Sequence, residues 1–139
     1  MRVKQISVLL TNKPGILSTI LEEFSNNNIN ILGLTINETA NFGELRLVVN
    51  DLAGAKSTLR ELAVSYNIVD VIIAVLEDKP GALLNIAKLL SDNYINMDYI
   101  YTLSSGRERA LVVIKTWNMD ETEALLEDEN IEMFSMEQN

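Results

Sequence analysis

The chain has 139 residues, 47% of them hydrophobic, and carries 11 Lys and Arg against 20 Asp and Glu for a net charge of −9. So acidic a surface repels phosphate backbones and anionic lipid heads, which excludes nucleic acid and membrane as partners. Cysteine and histidine are absent, which removes disulfides, thiol and serine-histidine catalysis, zinc fingers and histidine pH switching, and leaves any metal with oxygen ligands alone.

Arg2 and Lys4 precede an apolar stretch, Ile6 to Leu10, too short for a signal peptide, and no run reaches membrane-spanning length, so the cytoplasm is the expected location. Lys4 to Thr11 reads as a strand, with Ile6, Val8 and Leu10 alternating against Gln5 and Ser7. Pro14 suits the first turn of a helix, and Ile16, Leu17, Ile20, Leu21 and Phe24 form its apolar stripe. That helix is expected to stop in the cluster Ser25-Asn26-Asn27-Asn28. Two strands come next, Ile29 to Ile36 and Glu44 to Val49, joined through Asn37 to Gly43. Asp51 is a candidate N-cap for a second helix carrying Ala55, Leu59, Leu62 and Ala63, and Tyr66 to Asp70 completes the set as a fourth strand.

The same order then recurs: strand Val71 to Leu76, helix Pro80 to about Asn93, strands Ile95 to Leu103 and Ala110 to Thr116, helix Asp120 to Asp128, and a short strand Ile131 to Met136. Lys13-Pro14-Gly15 returns as Lys79-Pro80-Gly81 and Ile29-Asn30-Ile31 as Ile95-Asn96-Met97, both displaced by 66 positions. In that register the apolar run Leu45 to Val48 faces Leu111 to Ile114. The implied organisation is two domains, 1–70 and 71–139, each an α+β unit of ferredoxin-like βαββαβ order with an antiparallel sheet and helices on one face. No linker separates them, and Tyr66 to Leu76 is expected to run as one strand. Val71 to Leu76 is apolar without interruption, as in a strand covered on both faces. One helical layer covers only one face, so the other must meet a second layer, either from this chain or from another copy, which is an argument for a homodimer.

In each copy a loop, Asn12-Lys13-Pro14-Gly15 or Asp78-Lys79-Pro80-Gly81, joins the first strand to the first helix. A helix N-terminus offers unpaired N–H groups and partial positive charge to a carboxylate, and a glycine lets a ligand approach the main chain. The polar side chain ahead of Lys-Pro can hold an ammonium group, so the pair suits a free amino acid. Pro and Gly also simply shape a turn, and Asn30 and Asn96 either contact a ligand or cap the preceding helix end. The carboxylates from Asp120 to Glu129 lack calcium-loop spacing and read as a solvated helix face.

The Asn/Asp-Lys-Pro-Gly loop with Ile-Asn after it at the entry to strand two, present twice over residues 3 to about 136, resembles the ACT domain, and the doubled chain resembles the stand-alone tandem ACT proteins. The resemblance implies a regulatory module without catalytic residues, metal or cofactor, binding an amino acid at the interface of paired domains. Carried over by position, the ligand contacts are Asn12, Pro14, Gly15, Ile16, Leu17 and Asn30 in the first copy, and Asp78, Pro80, Gly81, Ala82, Leu83 and Asn96 in the second. The alternative it implies is a regulatory subunit acting in trans on an amino-acid biosynthetic enzyme, similar to the acetolactate synthase small subunit.

Two departures matter. Asp78 in place of Asn12 attracts an ammonium but repels a carboxylate, so the two sites are expected to differ. Tyr99 in place of Gly33 is expected to narrow the second site, while Tyr94, Tyr99 and Tyr101 read as packing residues. Acylphosphatases share the fold, but neither loop, 11–15 or 77–81, holds the arginine that phosphate chemistry needs.

Overall fold

The computed structural model describes residues 2–11, 13–38, 42–104, 109–136 and 138. In chain order the elements are β1 Val3–Leu10, α1 Ile16–Asn26, β2 Ile31–Glu38, β3 Gly43–Val49, α2 Leu52–Glu61, β4 Tyr66–Glu77, α3 Ala82–Asp92, β5 Met97–Leu103, β6 Arg109–Thr116, α4 Met119–Asp128 and β7 Met133–Phe134. They divide into two units, one built on Lys4–Val69 and one on Asp70–Met136, and β4 crosses the boundary as a single strand. The βαββαβ order and antiparallel pairing anticipated from the sequence are present in both.

In the first unit the strands lie in the order β2-β3-β1-β4. Ile6 stands opposite Leu47, and Leu34 stands opposite Leu47 on its other side, so these three form one row across the sheet. Opposed residues share a face, and this face carries Ile6, Val8, Leu45 and Leu47, all fully buried. Ile20 and Phe24 of α1 and Ala55 and Leu59 of α2 close over it. α1 ends as its asparagine cluster requires: Asn27 is the C-cap and Asn28 takes a left-handed φ of 56°. The Asn27 amide then reaches across to Thr58 Oγ1 of α2 at 3.0 Å, pinning the two helices.

The second unit repeats this plan with β7 paired to β4 at Ile73 and Ala74. Its corresponding row is Ile72, Ile114 and Ile100. Against Ile6, Leu47 and Leu34 the displacements are 66, 67 and 66, so the single spacing of 66 holds for β1, α1 and β2 but not for β3. The register predicted for Leu45 to Val48 is therefore one residue short. The cause is the second hairpin: Asn37 pairs with Glu44, whereas Leu103 pairs with Leu111, one residue further along. Both edge strands also carry a bulge at the same place, between Ile31 and Gly33 and between Met97 and Tyr99.

Side chains exchange within this shared frame. Thr116 and Thr122 occupy the places of Val49 and Ala55, and both are fully buried. Their hydroxyls are 2.7 Å apart, and Thr122 Oγ1 lies 2.8 Å from the Asn118 carbonyl, so the polar atoms in this core are paired. Val71 to Ala74 are fully buried in the single chain, so the uninterrupted apolar run is covered without a second copy and gives no argument for a homodimer. The last strand is shorter than predicted, Met133–Phe134 in place of Ile131 to Met136, because pairing to β4 is confined to two residues.

Pro14 and Pro80 do not lie in the first helical turn, where the sequence pattern places them. Gly15 and Gly81 are the N-caps of α1 and α3, each at φ 90°, and the prolines precede them. The Ala82 N–H donates to the Lys79 carbonyl at 3.3 Å, and with Gly81 at ψ −12° this is a type II β-turn, which takes Pro at its second position and Gly at its third. Substitution by alanine meets open space at both glycines, the nearest atom to a Cβ at Gly15 being Ser18 Oγ at 4.0 Å. Gly15→Ala and Gly81→Ala are therefore expected to cost about 1–2 kcal/mol each through backbone strain alone, and Asn at either position less, read as shifts in the urea midpoint. Gly54→Ala behaves differently. A Cβ there would lie 2.4 Å from Asp51 Oδ2, the carboxylate that caps α2 by accepting the Gly54 N–H. The usual helical gain of about 0.5–1 kcal/mol over glycine is expected to be cancelled by loss of a cap worth about 1 kcal/mol, and to reappear when the same change is made in an Asp51→Ala background.

Candidate functional site

Four helices lie within the described residues, and their N-termini fall into two kinds. α2 and α4 are capped by Asp51 and Asn118, whose side chains accept from Gly54 N and Glu121 N at 3.0 and 3.1 Å. α1 and α3 begin at Gly15 and Gly81 with no side-chain cap. The Ala82 N–H is taken by the Lys79 carbonyl, and the remaining first-turn N–H groups of the two helices have no capping side chain and lie where the helix dipole concentrates positive potential. Ser18 and Thr19 do not fill the role, since both hydroxyls donate to the Gly15 carbonyl at 3.0 and 2.9 Å. The two uncapped helices are those that begin at the repeated Lys-Pro-Gly loops.

Pro14 and Gly15 are exposed, while Ile16 and Leu17 are half-buried against the core of the first unit. Asp78, Pro80 and Gly81 are exposed, Ala82 is half-buried, and Leu83 is 47% exposed. Asn12 lies outside the described residues. Asn30 and Asn96 are exposed at the opposite ends of α1 and α3 from these loops. A helix of 11 residues is about 16 Å long at 1.5 Å per residue, so loop and asparagine of one unit do not meet in one small-molecule site.

The asparagine side chains do not cap the preceding helices, whose ends are closed by main-chain bonds such as Asn27 N–H to the Glu23 carbonyl at 3.1 Å. The Asn30 main chain is instead clasped by Asn50: Asn30 N–H donates to Asn50 Oδ1 at 2.9 Å and Asn50 N–H to the Asn30 carbonyl at 3.2 Å. In the second unit Trp117, 71% exposed, stands where Asn50 does. Asn96 adjoins a depression of about 500 Å³ between α3 and the start of β5, with Tyr94, 90% exposed, at its rim. Tyr99 and Tyr101 stack at 6.3 Å and stand opposite Lys115 and Val113, on the sheet face away from the helices. Tyr99 therefore does not narrow the mouth of α3.

A second groove, of about 520 Å³, opens beside the first turn of α3 between the end of β4 and the approach to β7. Of the ligand contacts expected from the sequence only Ala82 lines it, with Lys79 of the repeated loop beside it. Lys79 Nζ pairs with Glu77 at 2.7 Å, and Arg109 pairs with Glu132 at 2.7 Å, all at its rim. The hydrogen bond from Lys79, and then its charge, hold the Glu77 carboxyl below the usual glutamate range, while Glu77 raises Lys79 in return. Arg109, Glu132 and Asn85 carry no signal in the sequence, because only the β4/β6 register, which sets Glu77 opposite Arg109, and the return of β7 bring them together. No local spacing marks them.

A search of curated proteins finds no match. Among solved structures the chain is similar to protein BT0572 from Bacteroides thetaiotaomicron, 34% identical with a TM-score of 0.88 over 96% of this chain and 92% of that one. The fold is shared with the regulatory subunit of aspartate kinase from Thermus thermophilus in its ligand-free form, 14% identical with a TM-score of 0.62 over 89% and 87%. It is shared too with aspartokinase alpha and beta subunits, 20% identical with a TM-score of 0.59 over 90% of each. The family model for the ACT domain pair matches residues 1–139, and the chain belongs to that family.

Proposed function

We propose that this protein is a non-enzymatic amino-acid sensor of tandem ACT type, working in the cytoplasm as a homodimer, with domains 1–70 and 71–139 each supplying one ligand-binding loop. The observation that carries this reading is the contrast in capping: α2 and α4 close their own N-termini, whereas α1 and α3 leave theirs open to a carboxylate. In this reading Pro14, Gly15, Ile16 and Leu17 hold one ligand with Asn12, and Pro80, Gly81, Ala82 and Leu83 the other with Asp78. Asn30 and Asn96, too far along their own helices, reach the loop of a neighbouring domain.

The edge of the first sheet supports a second copy. Among the described residues β2 is paired only by β3. Leu34 and Ile36 stand on its helix-side face, opposite Leu47 and Leu45, yet each is 42% exposed. A partner laid against β2 covers both and brings an asparagine toward a loop. The ligand then acts through its preference for one domain arrangement over another. The second reading is a regulatory subunit acting in trans on an amino-acid biosynthetic enzyme. It is favoured by Leu9 and Phe42, exposed by 44% and 42%, and is tested by stoichiometric co-purification with that enzyme.

A thermal-shift screen against the common amino acids tests the sensor, since a ligand at about a hundred times its dissociation constant stabilises by about 2.7 kcal/mol. Asn30→Ala and Asn96→Ala are expected to leave the unliganded melting point in place, because neither side chain bonds to the described protein, and to diminish the ligand-induced shift. Gly15→Val and Gly81→Val are expected to abolish it. A shift that survives all four substitutions removes the loops and asparagines from the site.

A further inference from the structure

The charged rim of the groove beside α3 has no counterpart in the first unit. Continuing the β1/β3 register past Leu10 opposite Gly43 sets Thr11 opposite Phe42, as Glu77 is set opposite Arg109. The Ser65 carbonyl accepts the Leu9 N–H at 3.0 Å just as the Glu132 carbonyl accepts the Val75 N–H at 2.8 Å. Glu77, Lys79, Arg109 and Glu132 thus occupy the places of Thr11, Lys13, Phe42 and Ser65. The first unit builds the same corner with only one of these four charges, so the fold does not require the other three.

The pairs are also easily exchanged. Their side chains are 54–74% exposed, and ion pairs so open to water contribute little to stability. A ligand's own carboxylate and ammonium replace them at little cost. Beneath the rim the wall is apolar: Ile86 is fully buried, and Leu76 and Ile131 are half-buried. About 520 Å³ falls within the range of small-molecule sites.

We propose that this groove binds a free α-amino acid with an aliphatic side chain, its carboxylate taken by Arg109 and Lys79, its ammonium by Glu77 and Glu132, and its side chain laid on Leu76 and Ile131. The proposal rests on the protein being an amino-acid binder, but the site is complete within the second unit and needs no second copy. It also lies on the flank of α3 carrying Asn85 and Ile86, whereas Asn96 adjoins the flank carrying Ala87 and Ser91.

Titration of the isotopically labelled full chain with L-valine, monitored by amide NMR, tests it, with isovalerate and isobutylamine as single-charge controls. Saturable shifts are expected at residues 77–82, 109 and 130–132, weakened at least tenfold by Arg109→Met and by Glu132→Gln. Valine shifts absent from those residues, or surviving both rim substitutions, overturn the proposal. So does an equal response to isovalerate, which would mark an anion site only. Shifts confined to residues 13–17 and 94–97 and lost with Asn96→Ala overturn it while supporting the loop-and-asparagine site. Shifts at the groove with none near Asn96 do the reverse.

Discussion

One backbone angle in each unit sets the direction of the chain from strand into helix: glycine at φ 90° where the first strand gives way to the first helix. An L-residue with a side chain resists that conformation, so the turn depends on Gly15 and Gly81, and the proline ahead of each pre-sets its entry. Because the N-cap is then a glycine, it has no side chain with which to satisfy the first turn of the helix. The open N-terminus is a by-product of the tightest turn available between strand and helix. The ligand binding proposed for these loops therefore draws on the open helix ends themselves, which Asp51 and Asn118 close in α2 and α4, and not on the recurrence of Pro and Gly, which turn geometry explains by itself.

The two units show how far one backbone plan tolerates different chemistry. Val49 and Ala55 become Thr116 and Thr122 without leaving an unsatisfied hydroxyl, because the two changes face one another and pair. The hairpin between β5 and β6 takes an extra residue without disturbing the row Ile72, Ile114, Ile100, because the additional length falls at the turn and not in the strands. At the end of β4 the second unit has gained an alternating set of charges. Those side chains are exposed and lie outside the buried core, where packing constrains residue type least.

Much of the fold is legible because it is written in short-range terms. The alternation of Ile6, Val8 and Leu10, the stripe of Ile20 and Phe24, the Asp51 cap and the asparagine stop after α1 each express a preference acting over a few residues. The departures have equally local causes. Pro14 reads as helical because its ring suits a first helical turn as well as the second position of a type II turn, and only the φ of Gly15 separates the two. The spacing of 66 reads on through β3 because apolar runs of strand residues match equally well one position apart.

The sequence by itself determined the two-fold βαββαβ plan and the ACT resemblance, since hydrophobic period, turn residues and the repeated loop are properties of neighbours along the chain. Tertiary structure alone decided that Tyr99 turns away from the helices and that Glu77, Lys79, Arg109 and Glu132 share one rim. Strand register makes those assignments. Register is set by pairing between residues distant along the chain, such as Tyr99 with Lys115 and Glu77 with Arg109, for which the linear order carries no spacing signal.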